Sequence, residues 1–155
     1  MAESLCATVG LDLYLVDETG RGVVAFPDRP GLTMEQTYHY VADRDHLITV
    51  LADAGMLAVT ARPAELRQAY TETTAAFAAR EDAWLRDCGG GDAGAGIAGH
   101  KLHGDDAGGW WVTASECRAA LATAATVDHR GVDAALVEFL ARAAEYGGFR
   151  VWTTW

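Results

Sequence analysis

Positive charge is what this sequence most lacks. Twelve Lys and Arg stand against 22 Asp and Glu, for a formal net charge of −10, and Lys101 is the sole lysine. A surface of that sign repels phosphate backbones, so nucleic acid is excluded as an expected partner, while a basic protein is electrostatically admitted. Cysteine is scarce as well: three residues, at positions 6, 88 and 117, odd in number and without a CxxC pair. That excludes a disulfide framework and fits a reducing cytoplasm. No run reaches the ~18 uninterrupted apolar residues of a spanning helix, and residues 1–5 lack the positive region of a signal peptide, so neither membrane insertion nor export is expected. GxSxG, GxxxxGK[ST], HExxH and a GxGxxG after a strand are all missing, which removes the named hydrolase, phosphate-loop, zinc-peptidase and dinucleotide templates.

What is present is enough for one globular domain. Of the 155 residues, 50% score as hydrophobic, but 30 of these are alanine, so the larger side chains, the five Trp above all, must define the core and any binding surface.

Along the chain, Leu11, Leu13 and Leu15 alternate with Asp12, Tyr14 and Val16, a strand pattern that leads through Gly20 into Gly22–Phe26 as an antiparallel hairpin. Thr33 followed by Gln36 has capping-box spacing and predicts a helical stretch over 33–41. Asp43 caps a second helix with Leu47, Ile48 and Leu51 on one face and Gly55 at its end. Met56–Val59 reads as a short apolar, extended segment. From Thr60 and Pro63 to about Cys88, the stripe Leu66, Tyr70, Thr73, Phe77, Trp84, Leu85 predicts the longest helix. The glycine-rich stretch 89–96 is expected as a mobile loop. Residues 97–102 read as short and extended, Trp110–Val112 as a strand, and Thr113 with Glu116 as a capping box opening a helix over 114–124. Val132, Leu136, Phe139, Leu140 and Ala143 form the face of a last helix, stopped by Gly147 and Gly148 before a closing strand from Phe149. The expected fold is α+β: a small, largely antiparallel sheet covered by four to five helices in a single domain.

Chemistry concentrates at 100–106. His100, His103, Asp105 and Asp106 are metal-ligand types within seven residues, and they form the candidate set for a divalent ion; without it no cofactor is expected. On a strand His100 and His103 would face opposite sides, so sharing one ion requires a bend or a helix. The same segment supplies the catalytic candidates His100, His103 and Asp105, beside the bland reading of a strand and polar turn. Cys117 joins them because the first turn of a helix favours the thiolate, against the common fate of a buried free thiol. Trp110 and Trp111 must face opposite sides of a strand, so one is expected in the core and the other at solvent, a ligand or a partner. Trp110, Trp111 and Trp152, with Lys101, are the binding candidates.

The residues Gly109–Cys117, Phe139–Ala144 and Gly147–Trp152 resemble small actinobacterial α+β proteins and, more distantly in plan, the YfbM-like group. The resemblance spans the C-terminal third and rests on caps, aromatic core and turn glycines, so it implies a fold and no catalytic residue. Charge and missing templates favour a cytoplasmic binding or interaction protein, immunity-like, acting on a basic partner. A small biosynthetic or hydrolytic enzyme built on 100–106 is the alternative, and a small-molecule binder using Trp stacking is the third.

Overall fold

In the computed structural model, residues 8–20, 32–58, 63–64, 66–87, 96–103, 109–124 and 131–154 are described. The second hairpin strand expected at 22–26, the glycine run 89–95, Asp105, Asp106, the turn at Asp128 and the cysteines at 6 and 88 lie outside these residues. Within them the fold is α+β, with four α-helices, a four-stranded antiparallel sheet and a two-stranded parallel one.

The leucine alternation near the N-terminus becomes β1 (Gly10–Leu15), and the aromatic and β-branched segment after Gly148 becomes β6 (Phe149–Thr154). These two pair antiparallel as the central strands, Leu13 opposite Val151 and Leu15 opposite Phe149. β2 (Tyr38–Val41) pairs with β1 on one side and β5 (Trp110–Val112) with β6 on the other, giving the order β2-β1-β6-β5. The parallel pair is β3 (Leu57–Ala58) with β4 (Ile97–Ala98).

Each strand alternates its side chains between faces. Leu11, Leu13, Leu15, Val112, Phe149 and Val151 share one face and are buried against α1 (Arg44–Asp53), α3 (Ala114–Ala124) and α4 (Ala134–Glu145) through Leu47, Leu51, Ala120, Leu136, Phe139 and Ala143. α3 and α4 meet across small side chains, Ala120, Ala124 and Ala143, which is where the alanine content is used. α2 (Thr74–Asp87) runs beside β5, with the Trp84 ring 4.6 Å from that of Trp110.

Asp43 caps α1 by accepting from His46 N at 3.1 Å, Gly55 takes φ +71° after the helix, and Thr113 with Glu116 closes the capping box of α3. Three expectations are corrected. The helix over 33–41 is a 3-10 turn at Met34–Gln36, held by Gln36 Oε1 accepting from Thr33 N at 2.8 Å. Beyond it Tyr38–Val41 extends, because aromatic and β-branched residues gain more from pairing with β1 than from continuing a helix. The longest described helix starts at Thr74 instead of near Pro63. Thr73 Oγ1 accepts from Ala76 N at 3.1 Å, and Arg80 grips Glu72 at 2.7 and 2.9 Å and Arg67 O at 2.8 Å, so the preceding segment is held as a turn with Tyr70 fully exposed. Finally, only Ile97 and Ala98 of the segment 97–102 are extended; Gly99–His103 is 3-10 helical.

Candidate functional site

The residues singled out at 100–103 are divided between core and surface. The 3-10 backbone does place His100 and His103 one turn apart, on one side of the helix. His100 is nonetheless buried, edge-on to Trp110 at 4.8 Å, whereas His103 is exposed and its carbonyl accepts from Arg44 Nη1 at 2.8 Å. Among the described residues no three His, Cys, Asp or Glu side chains are grouped to hold a metal ion.

Lys101 is wholly buried, and its ammonium donates to Glu116 Oε1 at 2.5 Å, Trp111 O at 2.7 Å and Arg86 O at 3.1 Å. The carboxylate of Glu116 is further held by Ala98 N at 2.9 Å and by Thr113 N and Oγ1 at 3.2 Å. This ion pair ties the 3-10 turn, α2, β5 and the start of α3 together. Cys117 does sit in the first turns of α3, but burial, reinforced by the negative charge of Glu116, pushes its thiol up and outweighs the helix start. A protonated thiol out of contact with solvent is a packing group in this setting.

The expectation that one of Trp110 and Trp111 is exposed is corrected, since both are buried. Trp110 lies against Trp84 and His100. Trp111, on the other face, is enclosed by the guanidinium groups of Arg86 and Arg150 at 5.2 and 5.4 Å, and its Nε1 donates to Gly147 O at 2.7 Å. Arg150 is itself fixed by Gly20 O, Gly109 O and Asp82 Oδ1. Strand alternation is kept; α2 and the 17–20 turn cover the far face at this end of the sheet.

The same face is open at its other end. Register places Tyr40, Asp12 and Trp152 in one cross-strand row and Tyr38, Tyr14, Arg150 and Trp111 in the next. Tyr40 is 55% exposed and Tyr38 36%, while Asp12, Tyr14 and Trp152 are half-buried. The Tyr14 ring lies 5.1 Å from that of Tyr38 and 5.3 Å, edge-on, from that of Trp152. In the middle stands Asp12, whose Oδ1 accepts from the Tyr38 hydroxyl. That bond, with burial and the Asp12 charge behind it, pushes Tyr38 up to about 12. No Lys or Arg of the described residues pairs with Asp12, and its Oδ2 takes no hydrogen bond from them. A carboxylate without a counterion, framed by four aromatic rings on an open sheet face, is chemically a receptor for an organic cation: charge from the oxygen, ring quadrupoles around it.

Of these five residues, only Trp152 stood among the binding candidates. Asp12 and Tyr14 were legible as the polar phase of β1, and Tyr38-His39-Tyr40 carries the same period of two, masked by the capping-box signal before it. Comparison with known protein families, with curated proteins and with solved structures found no match, so fold and site rest on the geometry described above.

Proposed function

We propose that the protein is a binding protein, immunity-like in that it engages and masks a basic protein partner in the cytoplasm, and that its contact surface is the open sheet face around Asp12. The observation that carries this reading is the Asp12 carboxylate, bonded to the Tyr38 hydroxyl but with no Lys or Arg partner among the described residues, set among Tyr14, Tyr38, Tyr40 and Trp152. A lysine or arginine of the partner supplies the missing charge and stacks on the rings, an interaction worth about 0.5–2 kcal/mol per ring contact. Tyr and Trp are the side chains that most often anchor interfaces, because they cover large areas at low entropic cost. The net charge of −10 adds a long-range field that steers a cationic partner and weakens with salt.

The test is calorimetric titration with a short Arg/Lys-rich peptide and an Asp/Glu-rich peptide of equal length. Saturable binding of the basic peptide, weakened by salt and roughly tenfold by Asp12→Asn or Tyr40→Ala, is the expected result. Equal affinity for the acidic peptide, or indifference to both substitutions, refutes it.

A further inference from the structure

On the helix side of the edge strand β2 lies a cavity of about 380 Å³, into which the starts of two helices open. Asp43 caps α1, and Asp133 caps α4 by accepting from Ala135 N at 3.0 Å. Both carboxylates line the cavity together with His39 and His46, over a floor that includes the buried Leu47 and Leu136. Each aspartate spends one oxygen on its cap, and the other takes no hydrogen bond from the described residues. The two imidazoles likewise make no side-chain hydrogen bond among those residues, His39 being stacked on Phe139 at 5.7 Å.

The sign of the cavity follows from its charges. Two helix starts contribute about +0.5 each and two carboxylates −1 each, a balance near −1. Burial holds His39 below its ordinary value against the opposing pull of Asp133, so it adds no charge at neutral pH. No Lys or Arg of the described residues lines the cavity. Among the described residues, Arg44, next to Asp43, is turned to His103 O and Asp45, and Arg142 of α4 donates to Gln36 O. An anion, the usual guest of a helix start, is therefore disfavoured here.

We propose that this cavity binds an ammonium or guanidinium group carried on a short apolar stem, the cation between Asp43 and Asp133 and the stem on Leu47 and Leu136. The volume is at the small end of ligand pockets, which run from roughly 300 to 1,000 Å³, and suits a compact amine or a single basic side chain. Tyr40 borders both this cavity and the Asp12 face, but the carboxylates differ: His39 faces the helices with Asp43 and Asp133, while Asp12 pairs across from Tyr40 on the opposite side of the sheet and does not line the cavity.

Butylammonium and butylguanidinium, with butanol and butyrate as neutral and anionic matches, are titrated at pH 7.5 while the imidazole proton resonances of His39 and His46 are followed. The two cations are expected to shift both histidines saturably, and the matches are not. Asn caps helices as well as Asp does, so Asp43→Asn and Asp133→Asn keep α1 and α4 while removing charge. Each should weaken cation binding at least fivefold, and the double variant should abolish the shifts. Equal response to butanol or butyrate, absence of a saturable shift, or an unchanged dissociation constant in the folded double variant overturns the proposal. A Lys/Arg peptide in the same assay separates the sources. Histidine shifts lost in the double variant mean that the cavity takes a partner's side chain as well; a peptide without effect beside a binding butylammonium assigns it to a free amine. The histidine resonances report the cavity, which His39 and His46 line and Asp12 does not, whereas calorimetry of the basic peptide with Asp12→Asn reports the sheet face, so failure of the Asp12 face and failure of the cavity read out separately.

Discussion

Replacing Lys101 by Met tests the buried ion pair most directly. Met preserves the length and apolar stem of lysine but removes the ammonium, which donates to Glu116, Trp111 and Arg86 in a site with no solvent access. Glu116 keeps its backbone donors from Ala98 and Thr113 but loses its counterion at 5% exposure, and the carbonyls of Trp111 and Arg86 lose a donor. Breaking a buried pair on one side costs about 3–5 kcal/mol, a large part of the ~5–15 kcal/mol by which domains are stable. At roughly 2–4 °C per kcal/mol for a chain of this size, the melting temperature falls by about 6–20 °C. Glu116→Gln in the same chain removes the stranded charge and keeps a capping-box side chain, so the double variant should recover about 2 kcal/mol or more relative to the sum of the single losses. Urea unfolding followed by tryptophan fluorescence measures all four corners of the cycle. A loss below about 1 kcal/mol for Lys101→Met, or strict additivity in the double variant, refutes the reasoning that this pair clamps the fold.

Four further outcomes are expected. Tyr38 titrates near 12, and Asp12→Asn should bring it back toward 10 in an ultraviolet titration. Because the folded value is the raised one, the stabilisation it carries is complete below pH ~10 and disappears between about 10 and 12. Gly147→Ala would place a Cβ 1.7 Å from Asp17 O and should cost more than ~4 kcal/mol or prevent folding, whereas Gly131→Ala, with its nearest neighbour at 3.6 Å, should leave the melting temperature nearly unchanged. In a chain carrying Cys6→Ser and Cys88→Ser, Cys117 should stay unreactive to a thiol reagent until urea unfolds the protein; reaction at the native baseline would contradict its burial. Thr154 Oγ1 is buried without a hydrogen-bond partner among the described residues, so Thr154→Val should stabilise by about 1 kcal/mol in urea titration, and a comparable loss would show that the hydroxyl is satisfied.

Signals confined to one or two turns of chain were readable without the fold. Asp43 and the Thr113–Glu116 box mark helix starts through bonds between neighbours, and the leucine phase of β1 and the apolar face of α4 report burial by period alone. Thus the α+β class, α1, α3, α4 and both central strands were legible in the order of residues. Tertiary contact decided the rest, because it sums interactions between residues far apart in sequence. Pairing with β1 overrode the cap at Thr33 and made a strand of Tyr38–Val41. The placement of α2 beside β5 enclosed both Trp110 and Trp111, and the meeting of Lys101 with Glu116 turned a helix-capping residue into half of a buried ion pair. Asp12 and Tyr40 are 28 positions apart in the chain, and Asp12 and Trp152 are 140 apart. Only the antiparallel register of β2, β1 and β6 sets them in one row, and local sequence carries no energy term that would.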